Sequence, residues 1–239
     1  MNIAIYSIIA VLPSIIWLFF YLRKDKHPEP NKMVIKIFFW GILITLAALV
    51  LEWSYQEALN IFSLQNAVLV VIIGMAFIEE YLKYFVVKAK VLKNSEFDEP
   101  VDAMLYLIIV ALGFAAAENI FLLNGLHMIG VPLNQILGIT LGRFLGAVFL
   151  HALASGIIGY FLARSLLLRH ERKIFVGLGI LVATCLHGIY NYIIIEIGPY
   201  NENSIFLLIA LLGIMAVVVS LAFKNLTKLK SICKPPIES

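Results

Sequence analysis

Glu79 and Glu80 stand side by side inside the apolar stretch VLVVIIGMAFIEEYLKYFVV, with Lys83 one turn further on. Charged residues at a bilayer centre cost roughly 2.5–3.5 kcal/mol each on the mildest insertion scales. At about 100° per residue, Lys83 lies angularly between the two glutamates, so all three share one helix face. That face must look into a protein interior or a watered cavity, where the ammonium can hold at least one carboxylate ionised. The pattern reads as a reaction site or an ion path.

Three further apolar stretches supply partners. DAMLYLIIVALGFAAAENIFLL contains Glu118 and Asn119, GRFLGAVFLHALASGIIGYFLA contains Arg143, His151 and Ser155, and GLGILVATCLHGIYNYIII contains His187 and Asn191. Counted from the middle of each stretch, Glu79, Glu80, Glu118, His151 and His187 fall at similar depth, while Asn119, Arg143 and Asn191 lie outward of them. A polar cavity open to the outside is the simplest arrangement. The chemistry on offer is hydrolytic. A carboxylate can take a proton from water, and an imidazole can polarise a carbonyl or protonate a leaving amine. An asparagine amide can donate to an oxyanion. Two histidines and a carboxylate are also a zinc set with a fourth position open to water, which makes His151 and His187 candidate ligands of one Zn2+. A serine–histidine pair is not expected, because His151 and Ser155 at i, i+4 point the same way rather than at each other.

The elements that must position these groups are membrane helices. The chain has 239 residues, 62% hydrophobic and 14% charged. Its mean hydropathy is +0.97, more apolar surface than a soluble domain of this length can bury. Seven apolar stretches, about 3–22, 33–52, 66–88, 101–123, 137–164, 174–196 and 203–223, are each long enough to cross a bilayer. The expected fold is all-α: a polytopic bundle of about seven transmembrane helices, one integral-membrane domain over 1–239 with its catalytic core at about 66–196. The basic residues set its orientation. Arg23, Lys24, Lys26, Lys32 and Lys36 fall in or beside the first loop, Lys88, Lys90 and Lys93 in the third, Arg164, Arg169, Arg172 and Lys173 in the fifth, and Lys224, Lys228, Lys230 and Lys234 in the tail. All face one side, which predicts an external N-terminus and a cytoplasmic C-terminus. The first span is not expected to be a cleaved signal, because its positive charges follow it. The net charge of +3 reflects these topology signals and says nothing about nucleic acid, which is not expected as a partner. Cys185 in a span and Cys233 in the tail make no disulfide framework.

Plainer roles compete for some of these residues. Glu118 can serve as a structural partner of Arg143, Lys83 as one of Glu79, and Asn191 as the residue that orients His187. Ser155 reads as a packing residue and His127 as solvated. Glu96, Asp98, Glu99 and Asp102, with Pro100, read as the cap of the fourth helix.

Together these segments resemble the PrsW family of intramembrane proteases. The resemblance rests on EEYLKYF, FDEPVDAMLYLIIVALGFAAAENIFLL, the R-x7-HA of Arg143–Ala152 and LHGIYNYI, with DKHPEPNK similar to that family's acidic, proline-containing first loop. It runs in order from about residue 20 to 195. The family is distantly similar to the CAAX-type endoproteases, which pair a Glu-Glu motif with two later histidines and an H-x-x-x-N motif. The resemblance implies that Glu79 and Glu80 are catalytic, that Glu118, His151 and His187 complete the site, and that Asn191 takes the H-x-x-x-N position. PrsW-like chains often carry Asp there, so no carboxylate role is implied for Asn191. Lys83, Asn119 and Arg143 are supporting.

The implied activity is an intramembrane endopeptidase of the cell membrane. It would cut a membrane-anchored protein, an anti-sigma factor by the family's habit, on the extracytoplasmic side. The alternatives are a proton-coupled transporter or channel, a prenyl-directed endoprotease of the CAAX type, and a non-catalytic scaffold. A transporter favours discontinuous helices and two matching halves.

Overall fold

The computed structural model describes residues 3–25, 27–166, 171–198 and 201–229. Lys26, Arg169, Lys230, Cys233 and Lys234, assigned above to cytoplasmic segments, lie outside the described residues. Every regular element among the described residues is helical: α1 (Ile3–Leu22), α2 (Asn31–Ile61), α3 (Val68–Lys90), α4 (Pro100–Met128), α5 (Leu133–Leu145), α6 (Ala147–Leu166), α7 (Arg172–Tyr192) and α8 (Glu202–Leu226). Six helical segments are long and apolar enough to cross a bilayer, with α5 and α6 counted as one. The seventh, α3, is 23 residues long and spans by length, but Glu79, Glu80, Lys83, Lys88 and Lys90 lower its hydropathy.

The bundle is built around α4. Residues 100–117 are buried without interruption, and α1, α2 and α6 pack against this helix. It is apolar all round, so it has no face to offer water or headgroups and takes the centre. The peripheral helices show the opposite pattern, with Ile5, Ile16 and Phe19 of α1 and Phe206, Ile209 and Ile214 of α8 turned outward. Lipid is the solvent that tolerates this surface. Glycine permits the tight crossings at the centre. A Cβ on Gly113 would collide with the Phe38 carbonyl of α2, and one on Gly159 of α6 with the α4 backbone at Met104. The helices therefore meet backbone to backbone, the packing that small residues allow in membranes.

Two expectations about the helices change. The second helix runs past 52 to Ile61, so Glu52 lies inside it rather than at its end. The fifth span is interrupted at Gly146, where φ −106° and ψ −92° leave the helical region and separate α5 from α6. A side chain there would strike the Tyr190 hydroxyl. The break exposes main-chain groups in the apolar layer, and Trp17 Nε1 donates to the Phe144 carbonyl at 2.9 Å beside it. In α1, Pro13 removes one N–H from the helix ladder, and the nearby Ala10 carbonyl accepts from Asn119 Nδ2 at 3.1 Å. The last turn of α7 widens into a π-helical turn at Ile193–Ile197 and stops at Gly198, whose φ of +91° suits glycine.

The acidic segment before α4 does cap it: Asp102 Oδ2 accepts from the N–H groups of Glu99 at 2.7 Å and Asp98 at 3.0 Å. The first loop folds against it. His27 Nδ1 pairs with Glu99 Oε1 at 2.6 Å, and the Tyr106 hydroxyl donates to Glu29. Burial pushes the Glu29 carboxyl up to about 8, against the lowering effect of Tyr106 and with help from Asp102 and Asp25. His127, expected to be solvated, is half-buried and stacks on Tyr6 of α1 with ring centroids 4.2 Å apart.

Candidate active site

The helices α3, α4, α6 and α7 converge on one polar cluster. Helix α3 contributes Glu79, Glu80 and Lys83 through the i, i+3, i+4 spacing read from the sequence, and all three are buried. Glu80 and Lys83 are 0% exposed, His187 2%, His151 3% and Glu79 7%. Burying this much charge is tolerable only where each group is paired and hydrogen-bonded.

The pairing is close to complete. Lys83 Nζ lies 2.8 Å from Glu80 Oε1, 2.8 Å from His151 Nδ1 and 3.4 Å from Glu79 Oε2. Its other side faces the Phe114 ring, 4.4 Å from the centroid. Glu80 Oε1 also accepts from His187 Nδ1 at 2.9 Å, and Glu80 Oε2 accepts from Ser155 Oγ at 3.2 Å. His151 Nε2 lies 2.8 Å from Glu118 Oε2. An ammonium only donates, so His151 Nδ1 accepts from Lys83, and the ring proton on Nε2 goes to Glu118.

Glu118 and Asn119 then tie the cluster to the helices around it. Arg143 Nη2 sits 3.3 Å from Glu118 Oε2, and Arg143 Nε donates to Asn119 Oδ1. Asn119 passes the link on to α1 through the Ala10 carbonyl. The Glu118 side chain is 28% exposed and that of Arg143 23%, so the cluster opens on their side.

These contacts separate the two adjacent glutamates. Glu80 is saturated by Lys83, His187 and Ser155. Among the described residues, Glu79 has the long 3.4 Å contact from Oε2 to Lys83 as its only hydrogen bond, and Oε1 has none. Its Oε2 lies 4.0 Å from His187 Nε2, the nitrogen that Glu80 does not use. His187 gives its Nδ1 proton to Glu80, so its neutral form turns a lone pair toward Glu79. Two acceptors at that spacing suit a molecule that donates to both.

Of the residues expected at the site, Glu79, Glu80, Lys83, Glu118, Asn119, Arg143, His151 and His187 are joined in this network, and one stands apart from it. Asn191, one turn after His187 on α7, is half-buried and has no side-chain hydrogen bond among the described residues. Sequence reasoning missed two groups. Ser155, taken for packing, hydrogen-bonds Glu80, and its i, i+4 relation to His151 was the available signal. Glu52 of α2, half-buried, lies in the electrostatic field of Glu79, Glu118, Lys83 and His187. A carboxylate with Leu and Val before it was the signal there.

Glu79, Glu80, His151 and His187 each offer one ligand atom, and those atoms lie within 4.8 Å of one another. Two imidazoles with carboxylates form a zinc-type donor set. Glu118 holds the far nitrogen of His151 as outer carboxylates hold metal-binding histidines. By donor chemistry the residues fit a metal ion.

A sequence model described as PrsW family intramembrane metalloprotease matches residues 29–222. The chain is 30% identical over 189 residues to the protease PrsW of Oceanobacillus iheyensis, covering 77% of this chain and 80% of that protein. It is 29% identical over 180 residues to the protease PrsW of Geobacillus kaustophilus, covering 74% and 73%. It is 29% identical over 183 residues to that of Bacillus subtilis, covering 76% and 78%. No solved structure gives a significant match.

Proposed function

The chain belongs to the PrsW family of intramembrane metalloproteases, and from that premise we propose that it cleaves a membrane-anchored, anti-sigma-factor-like protein on the extracytoplasmic side with Glu79 as general base. The observation that carries the assignment of the base is the inequality of the two glutamates: Glu80 is fully buried and held by Lys83, His187 and Ser155, while Glu79 has one long contact, from Oε2 to Lys83 at 3.4 Å, and sets that oxygen 4.0 Å from His187 Nε2. The substrate class follows from the resemblance of the sequence to the family. The side of cleavage is supported by the one-sided basic loops and by the opening at Glu118 and Arg143.

In this mechanism a water donates to Glu79 Oε2 and His187 Nε2. Glu79 removes its proton as the oxygen attacks the scissile carbonyl carbon, then passes that proton to the amide nitrogen as the C–N bond breaks. The Asn191 amide, without a hydrogen bond among the described residues, is the donor for the oxyanion. Glu80 and Lys83 fix the orientation of His187 and of Glu79, and Glu118 fixes His151. Where zinc is bound, Glu79, Glu80, His151 and His187 are the residues that would hold it, and it supplies carbonyl polarisation and a more acidic water.

The test uses purified full-length protein in liposomes with single-pass anti-sigma factors tagged at both ends. The reading expects a fragment cut on the extracytoplasmic side by wild type and none by Glu79→Gln. Cleavage at a cytoplasmic position, or of unrelated membrane proteins with equal efficiency, contradicts it.

A further inference from the structure

Lys83 has a place in this centre that neither base chemistry nor packing accounts for. Its Nζ contacts Glu79, Glu80 and His151, three of the four side chains that offer metal ligands. The fourth, His187, bonds the same Glu80 oxygen that Lys83 does. All three ammonium protons are used, and the Phe114 ring closes the remaining side.

The competition is geometric as well as electrostatic. Glu118 occupies His151 Nε2, so Nδ1 is the one nitrogen of that ring facing the centre, and it can accept from Lys83 or bind a metal, not both. Glu80 Oε1 faces the same choice. Two cations sharing one dry cavity repel strongly. We propose that the Lys83 ammonium is the resident cation of this centre, and that a divalent ion of the zinc type enters only by displacing it.

The inference rests on the reading of this cluster as the reactive centre, but its test needs no substrate. Zinc binding to purified full-length protein is measured by equilibrium dialysis with elemental analysis, and cobalt binding by its visible spectrum. Wild type is compared with Lys83→Met and Lys83→Arg. Lys83→Met, close in shape and uncharged, binds zinc at least about tenfold more tightly than wild type, and adding His151→Ala removes the gain. Lys83→Arg, which keeps the charge, binds no more tightly than wild type. Equal or weaker zinc binding by folded Lys83→Met overturns the proposal.

A second measurement needs no substitution at all. Acylation of the Lys83 amine in wild type, read by mass spectrometry across a zinc titration, rises at least about tenfold as the amine leaves its seat. Labelling that stays flat through the titration overturns the proposal. Cleavage is scored separately. An inactive wild type defeats the peptidase reading and leaves the zinc comparison to be judged on its own result.

Discussion

Glu79 and Glu80 are neighbours in sequence, yet their surroundings give them different work. The i, i+3, i+4 relation to Lys83 was legible because it depends only on helix geometry. The division of labour was not, because it depends on how α6 and α7 rotate against α3 to bring Ser155 and His187 to Glu80. The same holds for His151, whose two nitrogens are taken by Lys83 and Glu118 from different helices. Asn191 is the clearest residue-scale test. It has no side-chain hydrogen bond to lose among the described residues, so Asn191→Ala should leave the melting temperature in detergent unchanged. If its amide donates to the oxyanion, kcat should fall about 10²–10³-fold with little change in KM. Unchanged kcat removes it from the mechanism.

At the scale of elements, the seven hydrophobic stretches foretold the helices, because length and hydropathy dominate in lipid. The break at Gly146 was hidden in an apolar run that continues on both sides, with hydrogen bonds from Gly146 N–H to Gly142 and from Leu150 N–H to Gly146 still in place. The centre of the bundle depends on contacts that tolerate no side chain. Gly113→Leu should strain the α2–α4 crossing and destabilise the fold by about 1–3 kcal/mol or more, whereas Gly138→Ala, with nothing within 4 Å, should be neutral. Equal melting temperatures for the two variants would refute the close crossing.

The first loop makes a separate prediction. Glu29 binds its proton more tightly in the folded chain than its ordinary value of 4.5 allows, with a folded value of about 8. Stability from this group is therefore full below about 4.5 and is lost as pH rises to about 8. His27, Glu99, Asp102 and Tyr106 face the same loop, so the measurement compares wild type with Glu29→Gln. The gap in melting temperature should favour the variant more at pH 8.5 than at pH 5.5. A gap independent of pH would show that Glu29 does not titrate in this window.

Across the whole molecule, orientation follows from charge and activity from an intact fold. The one-sided basic loops predict the N-terminus and the turn at His127 outside, with Lys93 and the C-terminus inside. Cysteines introduced at 93 and 127 should be labelled from outside intact cells only at 127. External labelling at 93 reverses the topology and the proposed side of cleavage. Activity depends on Glu79 as base in a cluster that Glu80 holds together. Replacing Glu79 by Gln keeps the shape and removes a charge from the membrane interior, so the fold should survive. Replacing Glu80 by Gln breaks its close ion pair with Lys83 and weakens its bond to His187, so that variant should lose stability as well as activity. The deciding measurement is cleavage rate and melting temperature together for Glu79→Gln and Glu80→Gln. We predict that Glu79→Gln melts at or above the wild-type temperature with cleavage reduced at least about 10²-fold. A folded Glu79→Gln protein that cleaves at near wild-type rate would contradict the account.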